Sequence, residues 1–146
     1  MADVTKMAAN KVLSGTHGHL WINGEKFANV KSFEAKLAGD FEEVKIAEEL
    51  GTKNKYMGYS ISGTIALHKI NSKIAGIMAE GYMTGDIPDI VLVASIEDHA
   101  AYGYERIELS DVTFDEMTLL QFETGSVTSE EVPFKAGSFR YLDKIL

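Results

Sequence analysis

The feature that most constrains this chain is a succession of short segments with period-two alternation, separated by turn residues. His17 to Ile22 and Glu25 to Val30 flank Asn23-Gly24. That dipeptide tolerates the two positive φ angles of a type I′ turn and so predicts a β-hairpin. Lys31 to Leu37 continues the pattern, with Phe33, Ala35 and Leu37 on one face. Tyr59, Ile61, Ile65 and Leu67 alternate with Ser60, Ser62, Thr64 and Ala66, the period of a strand with one face in a core. Gly63 falls in the apolar row, where a missing side chain points to a bend or the close approach of another backbone. Asp89 to Ile96 is a nearly continuous apolar run, the pattern of a strand covered on both faces.

Arg106 to Phe114 and Met117 to Thr124 read as a second hairpin joined by Asp115-Glu116. The apolar face slips by one residue near Ser110-Asp111, as a β-bulge would produce. Val127 to Phe134 alternates weakly and contains Pro133, a residue of sheet edges and bulges. One helix is expected, with Ser72 as N-cap, Ile74, Ile77 and Met78 on one side, and an end near Gly81. The expected architecture is mainly β: an antiparallel β-sandwich or split barrel with one short flanking α-helix.

Two segments stand apart. Residues 1–14 form an N-terminal arm carrying Val4, Met7, Val12 and Leu13, with no apparent partner in the chain. Residues 39–55 read as a long charged loop that nonetheless holds Phe41, Val44, Ile46 and Leu50. Loops beyond about 12–15 residues are usually functional or disordered, so both segments are candidates to order against a partner. The rest, 15–146, reads as one domain, consistent with a length of 146 residues.

Composition narrows the function classes. Cysteine is absent, which excludes disulfides, thiolate metal sites and thiol nucleophiles. No apolar run approaches the roughly 18 residues of a spanning helix, and the N-terminus lacks the apolar stretch of a secretory signal. The net charge of −8 argues against a stable grip on nucleic acid, which depends on Lys and Arg. The charge is laid down in blocks. Residues 1–36 carry +2, 37–51 carry −4, 52–75 carry +4 and 76–146 carry −10. Such blocks are commonly solvated faces; they also suit head-to-tail contacts between copies.

Candidate chemistry is weak throughout. His17 and His19 share a strand face but lack a third ligand at a recognisable metal spacing. His68 stands at a strand boundary. Glu97-Asp98-His99 has the parts of an oriented base, but neighbours on a strand point to opposite sides. Gly58-Tyr-Ser60-Ile-Ser62 is a near miss to a nucleophile elbow and lies within a strand, where that motif does not function. No phosphate-binding glycine pattern is present. No enzyme activity and no cofactor are expected.

Taken in order, the segments SGTHGHLWINGEK at 14–26, VKSFEAKL at 30–37, GTIALHKINS at 63–72, IEDHAAYGYERIEL at 96–109, VTFDEM at 112–117 and EEVPF at 130–134 form a pattern. It resembles the tail tube proteins of contractile phage tails and phage-like particles or bacteriocins of Gram-positive hosts. The resemblance implies a structural subunit that hexamerises into rings, stacked as a hollow tube whose lumen is a shared β-barrel. It implies as partners other copies of the chain, a tail sheath, a baseplate hub and tail terminator proteins, with DNA passing through without binding. It also implies a place in a virion tail or tail-like particle made in the host cytoplasm. On this reading Val4, Met7, Val12, Leu13, Phe41, Val44, Ile46, Leu50, Lys53 and Lys55 are expected at interfaces between copies. Ser60, Ser62 and Thr64 are expected to face the lumen. The competing expectation is a monomeric β-sandwich binding module of a phage particle.

Overall fold

The computed structural model describes residues 18–68, 73–98 and 103–144. Asn23 and Gly24 have φ angles of 51° and 83°, so the expected turn joins β1 (Gly18–Ile22) to β2 (Glu25–Phe27). The Asn23 side chain does more than turn. Its amide oxygen accepts from the Val91 N–H at 2.9 Å, and its backbone N–H donates to the Val91 carbonyl at 2.9 Å. These bonds lead the chain into β5 (Leu92–Asp98), which pairs antiparallel with β1. With β6 (Gly103–Ser110) and β9 (Ser138–Asp143) they form a five-stranded sheet, ordered β2-β1-β5-β6-β9. A four-stranded sheet contains β3 (Val30–Lys45), β4 (Thr52–His68), β8 (Ser129–Ala136) and β7 (Thr113–Phe114), in that order.

The two sheets face each other across one core. Alternation brings Leu20, Ile22, Leu92 and Leu109 of the first against Ile61, Ile65, Val132 and Phe134 of the second. The helix α1 (Lys73–Thr84) contributes Ile74 and Met78 to the same cluster. Each such side chain contributes roughly 1.5–3 kcal/mol on full burial. Phe33 of β3 stacks on Phe134 of β8 with ring centroids 5.8 Å apart. Between them Gly63 leaves no room: a Cβ there would collide with the Glu34 carbonyl and lie 2.6 Å from the Phe134 ring. Its place in the apolar row thus reflects close approach, as its position in the sequence implied.

Several expectations are corrected. Residues 39–55 are not a loop: β3 runs to Lys45, β4 begins at Thr52, and only 46–51 connect them. Cross-strand pairs such as Glu42 with Lys55 and Phe41 with Tyr56 supply the side-chain complementarity that stabilises a hairpin. The slip at Ser110-Asp111 is larger than a bulge. Ser110 pairs with Ser138 in one sheet, whereas Thr113 pairs with Lys135 in the other. Asp111, at φ 53°, carries the chain across. Gly137 makes the reverse crossing beside it, donating its N–H to the Ser110 carbonyl at 3.0 Å. The apolar face changes parity because the chain changes sheets.

Met117–Thr124 is not a strand in the single chain; the path from Asp115 to Thr128 has no helix or strand. The strand expected from Asp89 starts at Leu92, and its outward Val93 is only half-buried. The helix continues past Gly81 to Thr84. The proposed arm at 1–14, His17, the Ser72 cap and His99 lie outside the described residues, as does the side chain of Ile77.

Candidate functional site

The β3–β4 hairpin extends well beyond the sandwich. Only Ile61–His68 of β4 pair with β8, leaving residues 52–60 paired with β3 alone. At roughly 3.3 Å per residue this nine-residue stretch projects about 30 Å. Alternation then places apolar side chains where no second sheet covers them. Leu37, Phe41, Tyr56 and Tyr59 are about half exposed, and Leu50 at the tip is fully exposed. Tyr59 meets Phe139 edge-on at 6.2 Å, and Phe139 meets Tyr141 at 6.3 Å, so an aromatic row continues from the hairpin onto β9.

Of the expected interface residues, Val4, Met7, Val12 and Leu13 lie outside the described residues, and the other six divide among three places. Phe41 lies on the core-side face of the hairpin, and Ile46 and Leu50 lie in its connecting turn. Val44, Lys53 and Lys55 lie on the opposite face: Val44 is directly across from Lys53, and Glu42 across from Lys55. Lys53 also bonds Glu49 at 3.1 Å. The acidic 37–51 block and the lysines that follow it therefore complement each other within the hairpin. Leu37, Tyr56, Met57 and Tyr59 belong to the exposed surface too; alternation puts Leu37 and Tyr59 in apolar rows, and Tyr56 and Met57 lie between the segments read from it.

Ser60, Ser62 and Thr64 sit on the face of the four-stranded sheet turned away from the core, opposite the buried Ile61 and Ile65. By register this face carries Glu34, Asp40, Glu42 and Glu131 together with Lys36, Lys53, Lys55 and Lys135. Lys36 and Glu34 are 3.2 Å apart on it. Four carboxylates against four ammonium groups make a balanced surface of small polar and paired charged side chains. The acidic excess of residues 76–146 contributes only Glu131 to its paired positions. Three of its acids, Glu97, Glu108 and Asp143, lie on the outer face of the five-stranded sheet, beside two arginines. There Arg106 bonds Glu97 at 3.1 Å and approaches Asp143 at 3.8 Å, while Arg140 bonds Glu108 at 2.7 Å.

The sheet's two edges differ. Among the described residues β3 offers an unpaired edge 16 residues long, while β7 closes the other side with two residues. Beyond β7, Leu119, Leu120, Phe122 and Val127 are each close to 80% exposed. Nearby, the Tyr82 hydroxyl donates to the Phe114 carbonyl. Burial, and then the neighbouring Asp115 carboxylate, raise the Tyr82 pKa above its ordinary value of 10.0.

The residues weighed for chemistry remain scattered. His19 lies beside Trp21, ring centroids 5.9 Å apart, and exposed His68 ends β4 with its carbonyl accepting from Asn29 Nδ2 at 2.8 Å. Among the described residues no three His, Asp or Glu side chains are grouped to hold a metal. None of their helices is long and apolar enough to cross a membrane. The geometry consists of edges and uncovered apolar faces, which are features of assembly.

Comparison with known proteins agrees. Residues 5–143 match the family described as phage tail tube protein. The chain is 32% identical over 141 residues to the phage-like element PBSX protein XkdM of Bacillus subtilis strain 168, covering 95% of this chain and 96% of that one. Among solved structures it superposes on a chain of the extended PVC sheath-tube complex, an extracellular contractile injection system. The TM-score is 0.73 at 11% identity, over 97% of this chain and 98% of that chain. It also superposes on a chain of the anti-feeding prophage tube-terminating cap, with TM-score 0.68 at 12% identity, over 99% of this chain and 100% of that one. The fold is thus shared with contractile injection systems, and by sequence the chain belongs to the phage tail tube protein family.

Proposed function

We propose that the chain is the repeating subunit of an inner tail tube, in which six copies form a ring and rings stack into a hollow conduit. The observation that carries this reading is the four-stranded sheet with its long free β3 edge. Every pairing in the sheet is antiparallel, so β3 and the terminal β7 run in opposite directions. Rotating copies about an axis then brings β7 of one beside β3 of the next with antiparallel polarity. Six four-stranded sheets would give a closed barrel of twenty-four strands. Closure satisfies the edge groups that otherwise template aggregation, and a head-to-tail interface that closes by rotation gives a ring.

In that arrangement the outward face bearing Ser60, Ser62 and Thr64 lines the lumen. Its balanced charge offers a passing polyanion no continuous basic track, in keeping with DNA transit without stable binding. The projecting hairpin, with Phe41, Ile46 and Leu50, reaches adjacent copies in the same ring or the next. The residue 1–14 arm is assigned to the same contacts. The outer surface would meet a sheath, and the ends of the tube a baseplate hub and a terminator. The tube would carry genome or puncture a target membrane within a virion tail or tail-like particle made in the host cytoplasm.

Negative-stain electron microscopy of purified protein at increasing concentration tests the proposal. Hollow rings and tubes are expected. Particles of single-chain size at every concentration, together with sugar or peptide binding, would instead favour a monomeric binding module.

A further inference from the structure

We propose that the path following β7, residues 115–124, is an unfinished strand that forms only when a second copy presents its β3 edge. The inference rests on the ring proposed above and adds where the ring is completed. Three observations meet here. The sequence from Met117 to Thr124 is strand-like, with Leu, Gln, Phe and Thr and neither Gly nor Pro, yet in the single chain it forms no strand. Its Leu119, Leu120 and Phe122 are 78–80% exposed, a cluster of apolar surface that calls for a partner. The segment also leaves the sheet at its outer edge. Phe114 pairs with Phe134, and the Asp115 N–H still donates to the Pro133 carbonyl at 2.9 Å. Continuing that register would bring residues 116–119 opposite 132–129 of β8.

A strand with a partner on one side only gains half the ladder while paying the full entropy of ordering, roughly 1–2 kcal/mol per residue. The β3 edge of the next copy supplies the other half. It is long enough at 16 residues and has the required antiparallel polarity. Ordering of 115–124 is therefore coupled to subunit addition. A single copy thus presents one formed edge, β3, and one edge that is completed only when it meets the β3 of a neighbour.

Backbone hydrogen exchange, compared between dilute single chains and assembled tubes, tests this. Amides of 117–124 should exchange freely in the single chain and slow by at least about a hundredfold in tubes, together with those of the outer β3 edge. Leu120→Pro and Gln121→Pro each remove a ladder donor at exposed positions away from the folded core. They should leave single-chain melting unchanged while raising the concentration needed for assembly about tenfold or more. Tubes that assemble with 117–124 exchanging as in the single chain, or unaffected by both prolines, would overturn strand completion and leave the ring intact. Failure of the unmodified chain to form any ring would overturn both.

Discussion

Gly63→Ala tests the packing from which the four-stranded sheet is built. The residue sits where β3, β4 and β8 meet, and a Cβ there would strike the Glu34 carbonyl while lying 2.6 Å from the Phe134 ring and 3.0 Å from the Ala35 Cα. Two of these neighbours are backbone atoms held by β3–β4 pairing, so they cannot move aside cheaply. Overpacking of this kind costs about 1–3 kcal/mol. Against it stands the gain of roughly 0.5–1 kcal/mol from replacing Gly within a regular element. The net expectation is a loss of about 1 kcal/mol, or a Tm lower by about 3–4 °C for a chain of this size. Gly76→Ala in α1 is the matched control, because a Cβ there meets nothing within 4 Å; it should raise stability by about 0.5–1 kcal/mol. Thermal unfolding followed by far-ultraviolet circular dichroism, in dilute solution where assembly does not contribute, reads both. A Gly63→Ala chain as stable as the parent would refute the close approach.

Phe134→Ala should cost about 3–5 kcal/mol, since the ring is 1% exposed and stacks on Phe33; denaturant titration measures it. Tyr82→Phe removes the hydroxyl that donates to Phe114 and should cost about 0.5–1.5 kcal/mol at neutral pH. The Tyr82 pKa is raised by burial and by Asp115, so the folded state retains its proton longer than the unfolded chain. The parent's advantage over Tyr82→Phe is thus fully present below pH 10.0 and falls as pH rises through the raised value; urea melts between pH 8 and 11 check the sign. Leu50→Asp at the fully exposed tip should leave single-chain stability within about 0.5 kcal/mol while weakening tube formation, as seen by sedimentation.

The sandwich was legible because its strands have one face in a core, and a buried face writes alternation into the sequence. Asn23-Gly24 and Gly63 were legible for a related reason: each marks a local condition that few residues meet. The distal hairpin was not, because neither face is covered in a single copy and charged side chains dominate both. The signal was there in another form. The −4 block before Gly51 and the lysines after it are the two sides of one hairpin, with Glu42 facing Lys55. Those blocks suggested solvated faces or contacts between copies, but the 37–51 acids and Lys53 and Lys55 complement each other within one chain. The sheet crossing at Asp111 was legible only as a parity slip, since a bulge and a change of sheet produce the same offset. Met117–Thr124 shows the converse case. Its composition is that of a strand, and a single chain gives it one side of a ladder only as far as residue 119. The acidic C-terminal half also needed the fold to be placed, because register puts only Glu131 of that excess on the paired positions beside Ser62 and Thr64.

The central claim is that this chain closes on copies of itself in a ring of fixed number. Native mass spectrometry at the onset of assembly tests it most directly. A chain of 16.0 kDa should give a dominant species at six times that mass, about 96 kDa, with multiples of it as rings stack. A distribution of one, two, three and more copies with no preference for six, or the single chain alone, would contradict the account.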